Sequence, residues 1–125
     1  MKTIISTDKA PSAIGPYSQA VAAANLIFVS GQLPLVPETM DFCAGGIQEQ
    51  TRQALTNAKA ILEEAGSSLD KVVKTTVLLK DIKDFVAMNE VYAQFFESDC
   101  PARAAYQVAA LPKDALVEIE LIALK

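Results

Sequence analysis

Arg103 is one of only two arginines in the chain, the other being Arg52. It stands in the neutral stretch Pro101-Ala102-Arg103-Ala104-Ala105-Tyr106-Gln107-Val108, and no acid occurs between Asp99 and Asp114. A planar, permanently charged fork with no acid nearby in sequence suits the gripping of a ligand carboxylate. The same setting is equally compatible with a structural ion pair to a distant acid. Ala104 and Ala105 beside it leave backbone N–H groups open to an anion. Fifteen residues after Arg103, Val117-Glu118-Ile119-Glu120-Leu121 reads as a strand with both carboxylates on one face. They share that face with Leu116, Ile122 and Leu124, so each carboxylate must be solvated, paired or functional. A partly desolvated Glu has a raised pKa and can relay protons near neutrality. The pattern suggests a carboxylate clamp with an acid/base group beside it.

Four further residues are candidates. Ser30 and Gly31 close an apolar strand, where a hydroxyl and a permissive backbone either line a pocket or end the strand. Tyr17 follows Gly15-Pro16 and is stiffly placed, as a core, interface or cleft residue. Asn89 lies in an apolar stripe between Phe85 and Tyr92. An amide there needs partners, whether to fix a loop or to face a cleft. Arg52 reads as a surface charge.

Composition narrows the chemistry. The chain of 125 residues suffices for a single domain spanning 1–125, and its 51% apolar and 21% charged content fits a globular protein. A net charge of −4, with lysines scattered from Lys2 to Lys125, argues against a nucleic-acid partner. No apolar run approaches the ~20 residues of a membrane span. The N-terminal segment lacks the apolar core of a signal peptide, and the cytosol is the expected compartment, with an organelle address left open. Cys43 and Cys100 show no metal or redox spacing. The chain has no histidine, which removes Ser-His-Asp and Cys-His sites and histidine ribonuclease chemistry, and takes from zinc its commonest nitrogen ligand. The five glycines form no phosphate loop. Catalysis would rest on Arg, Glu/Asp, Tyr, Ser, Asn, backbone groups and water.

The elements that must position these groups follow from periodicity. Ile4-Ile5 begins a strand, and residues 10–16 form a loop. Residues 17–24 and 25–32 read as strands joined by a tight turn, the second apolar on both faces. A long loop with Pro34, Pro37, Gly45 and Gly46 precedes a helix over 47–65, stopped by Gly66. Residues 71–80 form a β-branched strand with Val73, Thr75, Val77 and Leu79 on one face. Asp81 is the expected N-cap of a second helix, whose stripe is Phe85, Met88, Tyr92, Phe95 and Phe96. Strands over 104–109 and 116–124 end the chain. The order β-β-β-α-β-α-β-β implies crossovers and a partly parallel sheet. Two helices cover only one face of six strands, so the other face is expected to be buried in a homo-oligomer.

Taken together, Ala13-Ile14-Gly15-Pro16-Tyr17-Ser18-Gln19-Ala20, Ser30-Gly31-Gln32-Leu33-Pro34, Val73-Lys74-Thr75-Thr76-Val77, Asn89-Glu90-Val91-Tyr92, Pro101-Ala102-Arg103, Leu111-Pro112-Lys113-Asp114 and Val117-Glu118-Ile119-Glu120 resemble, in order and over nearly the whole chain, the reactive intermediate deaminase family (Rid, also called YjgF or L-PSP). The resemblance implies an α+β, chorismate-mutase-like fold: a mixed six-stranded sheet with two helices on one face. It implies a homotrimer with a central β-barrel and clefts between subunits. It further implies hydrolysis of enamine and imine acids such as 2-aminoacrylate and 2-aminocrotonate to 2-keto acids and ammonia, without cofactor or metal. By the same resemblance Arg103 is the clamp, Glu118 the water-positioning carboxylate and Tyr17 a catalytic cleft residue. Ser30, Gly31, Asn89 and Ala105 would bind substrate, the last through its N–H. Many members carry cysteine where this chain has Ala105, so no thiol switch operates there. Two other readings stand beside deamination: a binding protein for small keto or amino acids, and a ribonuclease or translation inhibitor, against which the missing histidine and the acidic charge argue.

Overall fold

Apolar side chains at helical spacing from Ile47 to Leu62 fold into α1 (Ile47–Glu64) and bury Ala54, Leu55, Ala58, Ile61 and Leu62. The Glu49 carboxylate accepts from the Gly46 N–H at 2.8 Å and places an acid in the first turn. Gly66 leaves the helix at φ +80°, a left-handed conformation open to glycine. The computed structural model describes residues 1–125. The other elements are β1 (Lys2–Ile5), β2 (Ala20–Ala23), β3 (Leu26–Gln32), β4 (Val72–Leu79), α2 (Phe85–Phe95), β5 (Ala102–Gln107) and β6 (Val117–Leu124).

One six-stranded sheet runs β1-β2-β3-β6-β4-β5. Only β4 and β5 are parallel neighbours, joined through α2. β3 and β4, joined through α1, are both antiparallel to β6, which lies between them. α1 and α2 pack on one face, where Ile27, Val29, Val77, Leu79, Ile119 and Leu121 complete the core. This is the α+β arrangement the sequence implies. The opposite face carries large apolar side chains in the open, among them Phe28 at 43% and Tyr106 at 49% exposure.

Four local expectations are corrected. β2 starts at Ala20 rather than Tyr17, because the chain bends at residues 15 and 16, with the Tyr17 N–H bonded to the Gly15 carbonyl at 2.9 Å. In β4 a bulge between the Val72 and Lys74 pairings turns Val73 outward and buries Val72 in its place. Asp81 caps a single 3-10 turn, Ile82–Asp84, accepting from the Lys83 N–H at 2.9 Å, and α2 follows that turn. β5 starts at Ala102, two residues early, and so takes Arg103 into the sheet opposite Thr75. Arg52 is exposed but not idle: it donates to Gln94 Oε1 at 2.7 Å and ties α1 to α2.

Candidate active site

The sheet register assigns a face to each candidate. Glu118 is paired with Leu78 and Arg103 with Thr75. Leu78 and Thr75 are three residues apart on β4, and side chains alternate along a strand. Glu118 therefore stands on the open face, and Arg103 on the helix-covered face at the outer edge. No single copy brings the two together.

Around Glu118 the fold builds a cleft of about 700 Å³. Tyr17, Ser30, Gly31, Glu118, Glu120 and Lys113 are among the side chains and backbone that line it. Gly31 permits the close approach of Glu118, since a Cβ there would lie 2.9 Å from the Glu118 carboxyl carbon and push that side chain aside. Burial, and secondarily the charge of Glu120, push the Glu118 carboxyl above the usual carboxylate range. The Ser30 hydroxyl donates to the Ser18 carbonyl at 2.6 Å, and the Ser30 N–H bonds the Gln19 carbonyl at 2.9 Å. These bonds lock the strand end to the segment that carries Tyr17, which is itself exposed at the rim.

Arg103, the other candidate group, lies outside that cleft. Nη1 donates to Asn89 Oδ1 at 2.7 Å. The guanidinium carbon lies 4.7 Å from the Tyr92 ring centroid and 5.4 Å from that of Phe85. No acid pairs with it; the one ion pair of the chain joins Lys80 to Asp114 at 2.9 Å. Ala105 shares its face by alternation. Because the Val108 N–H points inward to the Leu79 carbonyl, alternation turns the Ala105 N–H outward from the free edge of the sheet. A fixed fork and an outward N–H two residues on are donors of the kind that a carboxylate accepts from.

Two amides that sequence reasoning passed over hold the walls of the cleft in place. Buried Gln19 accepts from the Thr7 N–H at 2.7 Å and donates to the carbonyls of Thr7, Ala10 and Pro11, fixing the loop that forms one cleft wall. Asn57, on the buried face of α1, donates to the Leu33 and Leu35 carbonyls at 3.2 and 2.8 Å and anchors the opposite wall. An amide inside an apolar helical stripe was the available signal for Asn57. No group of three or more Cys, Asp or Glu side chains converges in a way that could hold a metal ion. No helix is long and apolar enough to cross a membrane.

Known proteins resemble this chain in sequence and fold. The family model described as endoribonuclease L-PSP matches residues 7–125. A RutC family protein of Pyrococcus abyssi is 56% identical over 124 residues, covering 99% of this chain and 98% of its own. A 2-iminobutanoate/2-iminopropanoate deaminase of Homo sapiens is 53% identical over 125 residues, covering 100% of this chain and 91% of its own. The crystal structure of E. coli TdcF with bound serine superposes with a TM-score of 0.94 at 46% identity, covering 98% of each chain.

Proposed function

This chain belongs to the endoribonuclease L-PSP family, which includes the Rid and YjgF proteins, and on that premise we propose that it hydrolyses reactive 2-enamine and 2-imine acids, such as 2-aminoacrylate and 2-aminocrotonate, to 2-keto acids and ammonia. It is a 2-iminobutanoate/2-iminopropanoate deaminase in this reading, acting without cofactor or metal as a homotrimer. Relatives bearing that activity in their names, at 52–57% identity over the full chain, support it. So does the bound serine of TdcF, a small α-amino acid of the same carboxylate class. The observation that carries the proposal is Arg103 itself, charged and fixed yet without an acid partner.

The split of Arg103 and Glu118 between opposite sheet faces supports a composite site, with Arg103 of one copy meeting the cleft of the next. Arg103 and the Ala105 N–H seat the substrate carboxylate. The enamine tautomerises to its imine. Glu118 takes a proton from a water whose oxygen adds to the imine carbon, and that proton passes on to nitrogen. The carbinolamine collapses to the keto acid and expels ammonia. Gly31 lets the Glu118 carboxyl lie against the strand, Ser30 holds that wall, Asn89 lies at the Arg103 end and Tyr17 covers the mouth. The uncatalysed hydrolysis already proceeds, so orientation and electrostatics suffice.

Pyruvate or 2-oxobutanoate release from a serine or threonine dehydratase mixture tests the proposal. Wild type should speed release, and Arg103→Ala should remove the acceleration; an unimpaired variant would exclude Arg103 as the clamp. The same seat would serve a non-catalytic keto- or amino-acid binder, and binding without faster hydrolysis would favour that reading. A ribonuclease would have to work without histidine and against a net charge of −4. The cytosol is the proposed compartment.

A further inference from the structure

A guanidinium awaiting a ligand must be held without being neutralised, and the surroundings of Arg103 meet that demand with uncharged groups. We propose that Phe85, Asn89 and Tyr92 form a neutral cradle that fixes Arg103 and leaves its charge undischarged, so that Asn89 is a positioning residue for the clamp rather than a substrate ligand. This rests on the deaminase reading for its biological purpose, though not for its test.

The three residues stand at i, i+4 and i+7 of α2 and so share one helix face, turned toward β5. Asn89 presents its oxygen to Arg103, because a guanidinium offers donors only. That contact occupies a single N–H at 2.7 Å. The two rings lie within cation–π range and stabilise the cation electrostatically without bringing a counter-charge. Tyr92 cannot swing away, since its hydroxyl is bonded at 2.7 Å to the fully buried Thr75 Oγ1. Burial pushes the Tyr92 phenol up from its ordinary value, against the smaller opposing pulls of Thr75 and Arg103, and the ring stays uncharged. The neighbouring acid on α2, Glu90, is engaged by Gln48 Nε2 at 2.9 Å. A carboxylate in place of the Asn89 amide would supply the counter-charge that a substrate must otherwise bring.

Asn89→Asp, nearly identical in shape, isolates the charge. Calorimetric titration of 2-oxobutanoate into the full-length protein reads the seat without requiring turnover. A protein that binds this acid yet does not speed hydrolysis fails as a deaminase while the cradle is still measured. Asn89→Asp should weaken binding at least about tenfold, with a melting temperature held or raised, and Asn89→Ala should weaken it less. Wild-type affinity in Asn89→Asp would overturn the proposal. An equal loss in Asn89→Ala would make the amide a direct ligand and overturn it too. Phe85→Leu, at a half-buried position, should weaken binding severalfold with the fold intact; unchanged affinity there counts against the cradle. Guanidinium NMR supplies a ligand-free readout, since only two arginines need be distinguished. Hindered rotation of the Arg103 guanidinium is expected in wild type and should be relieved in Asn89→Ala. Free rotation in wild type would contradict the proposal.

Discussion

Among single residues, two groups are kept in unusual states by their neighbours. Arg103 is charged with no counter-charge, and Glu118 is held partly away from water with its pKa raised by burial first and by Glu120 second. If Glu118 is the base, kcat/KM falls as pH drops through its raised pKa, giving an acid limb above the usual carboxylate range. Glu120→Gln should move that limb only part of the way down, because burial is the larger cause. The same shift governs stability. A carboxyl with a raised folded pKa favours the native state below its unfolded value, ~4.3 for Glu, and that advantage is lost as pH rises through the folded pKa. Glu118→Gln should therefore melt above wild type near neutrality, with the gap closing in acid. Thermal scans across pH check this, and a gap that widens in acid would contradict it. The Glu118-Glu120 alternation was visible in sequence. The Gly31 contact that allows Glu118 to lie so close was not, because it joins β3 to β6 across the sheet.

At the scale of elements, the cleft walls are loops pinned by buried amides. Asn57→Ala removes three hydrogen bonds, the two donated to the Leu33 and Leu35 carbonyls and the one accepted from Gln53 Nε2, and frees the loop from the helix. A loss of about 2–3 kcal/mol is expected from that deletion, measurable by chemical denaturation; a loss within error would mean the loop needs no such anchor. Helix α1 was readable to within one residue because its apolar spacing and Gly66 are local signals. The outward turn of Val73 was not readable, since the bulge arises from pairing with β6. Nor was the start of β5, which depends on parallel pairing with β4 after the α2 crossover. The lone arginine drew notice from composition, whereas the aromatic faces beneath it became legible only when α2 docked against β5.

For the whole molecule, a sheet with one covered and one bare apolar face presents a surface suited to burial against another copy. Phe28 and Ile122, cross-strand partners on that bare face, are positioned for such contact. The proposed homotrimer predicts that Phe28→Asp shifts the protein toward monomer in sedimentation and lowers activity in parallel; a monomeric variant with full activity would show that one copy holds a complete site. The opposite-face placement of Arg103 and Glu118 makes the sharper claim, that every working site borrows from two copies. Mixing tests it most directly. Arg103→Ala and Glu118→Gln chains, each inactive alone, are unfolded together in equal amounts and refolded so that copies assort at random. A site that takes its arginine from one copy and its glutamate from another should be whole in about a quarter of cases, and that share of wild-type activity should return. Mixtures that remain as inactive as the separate variants would contradict the shared site.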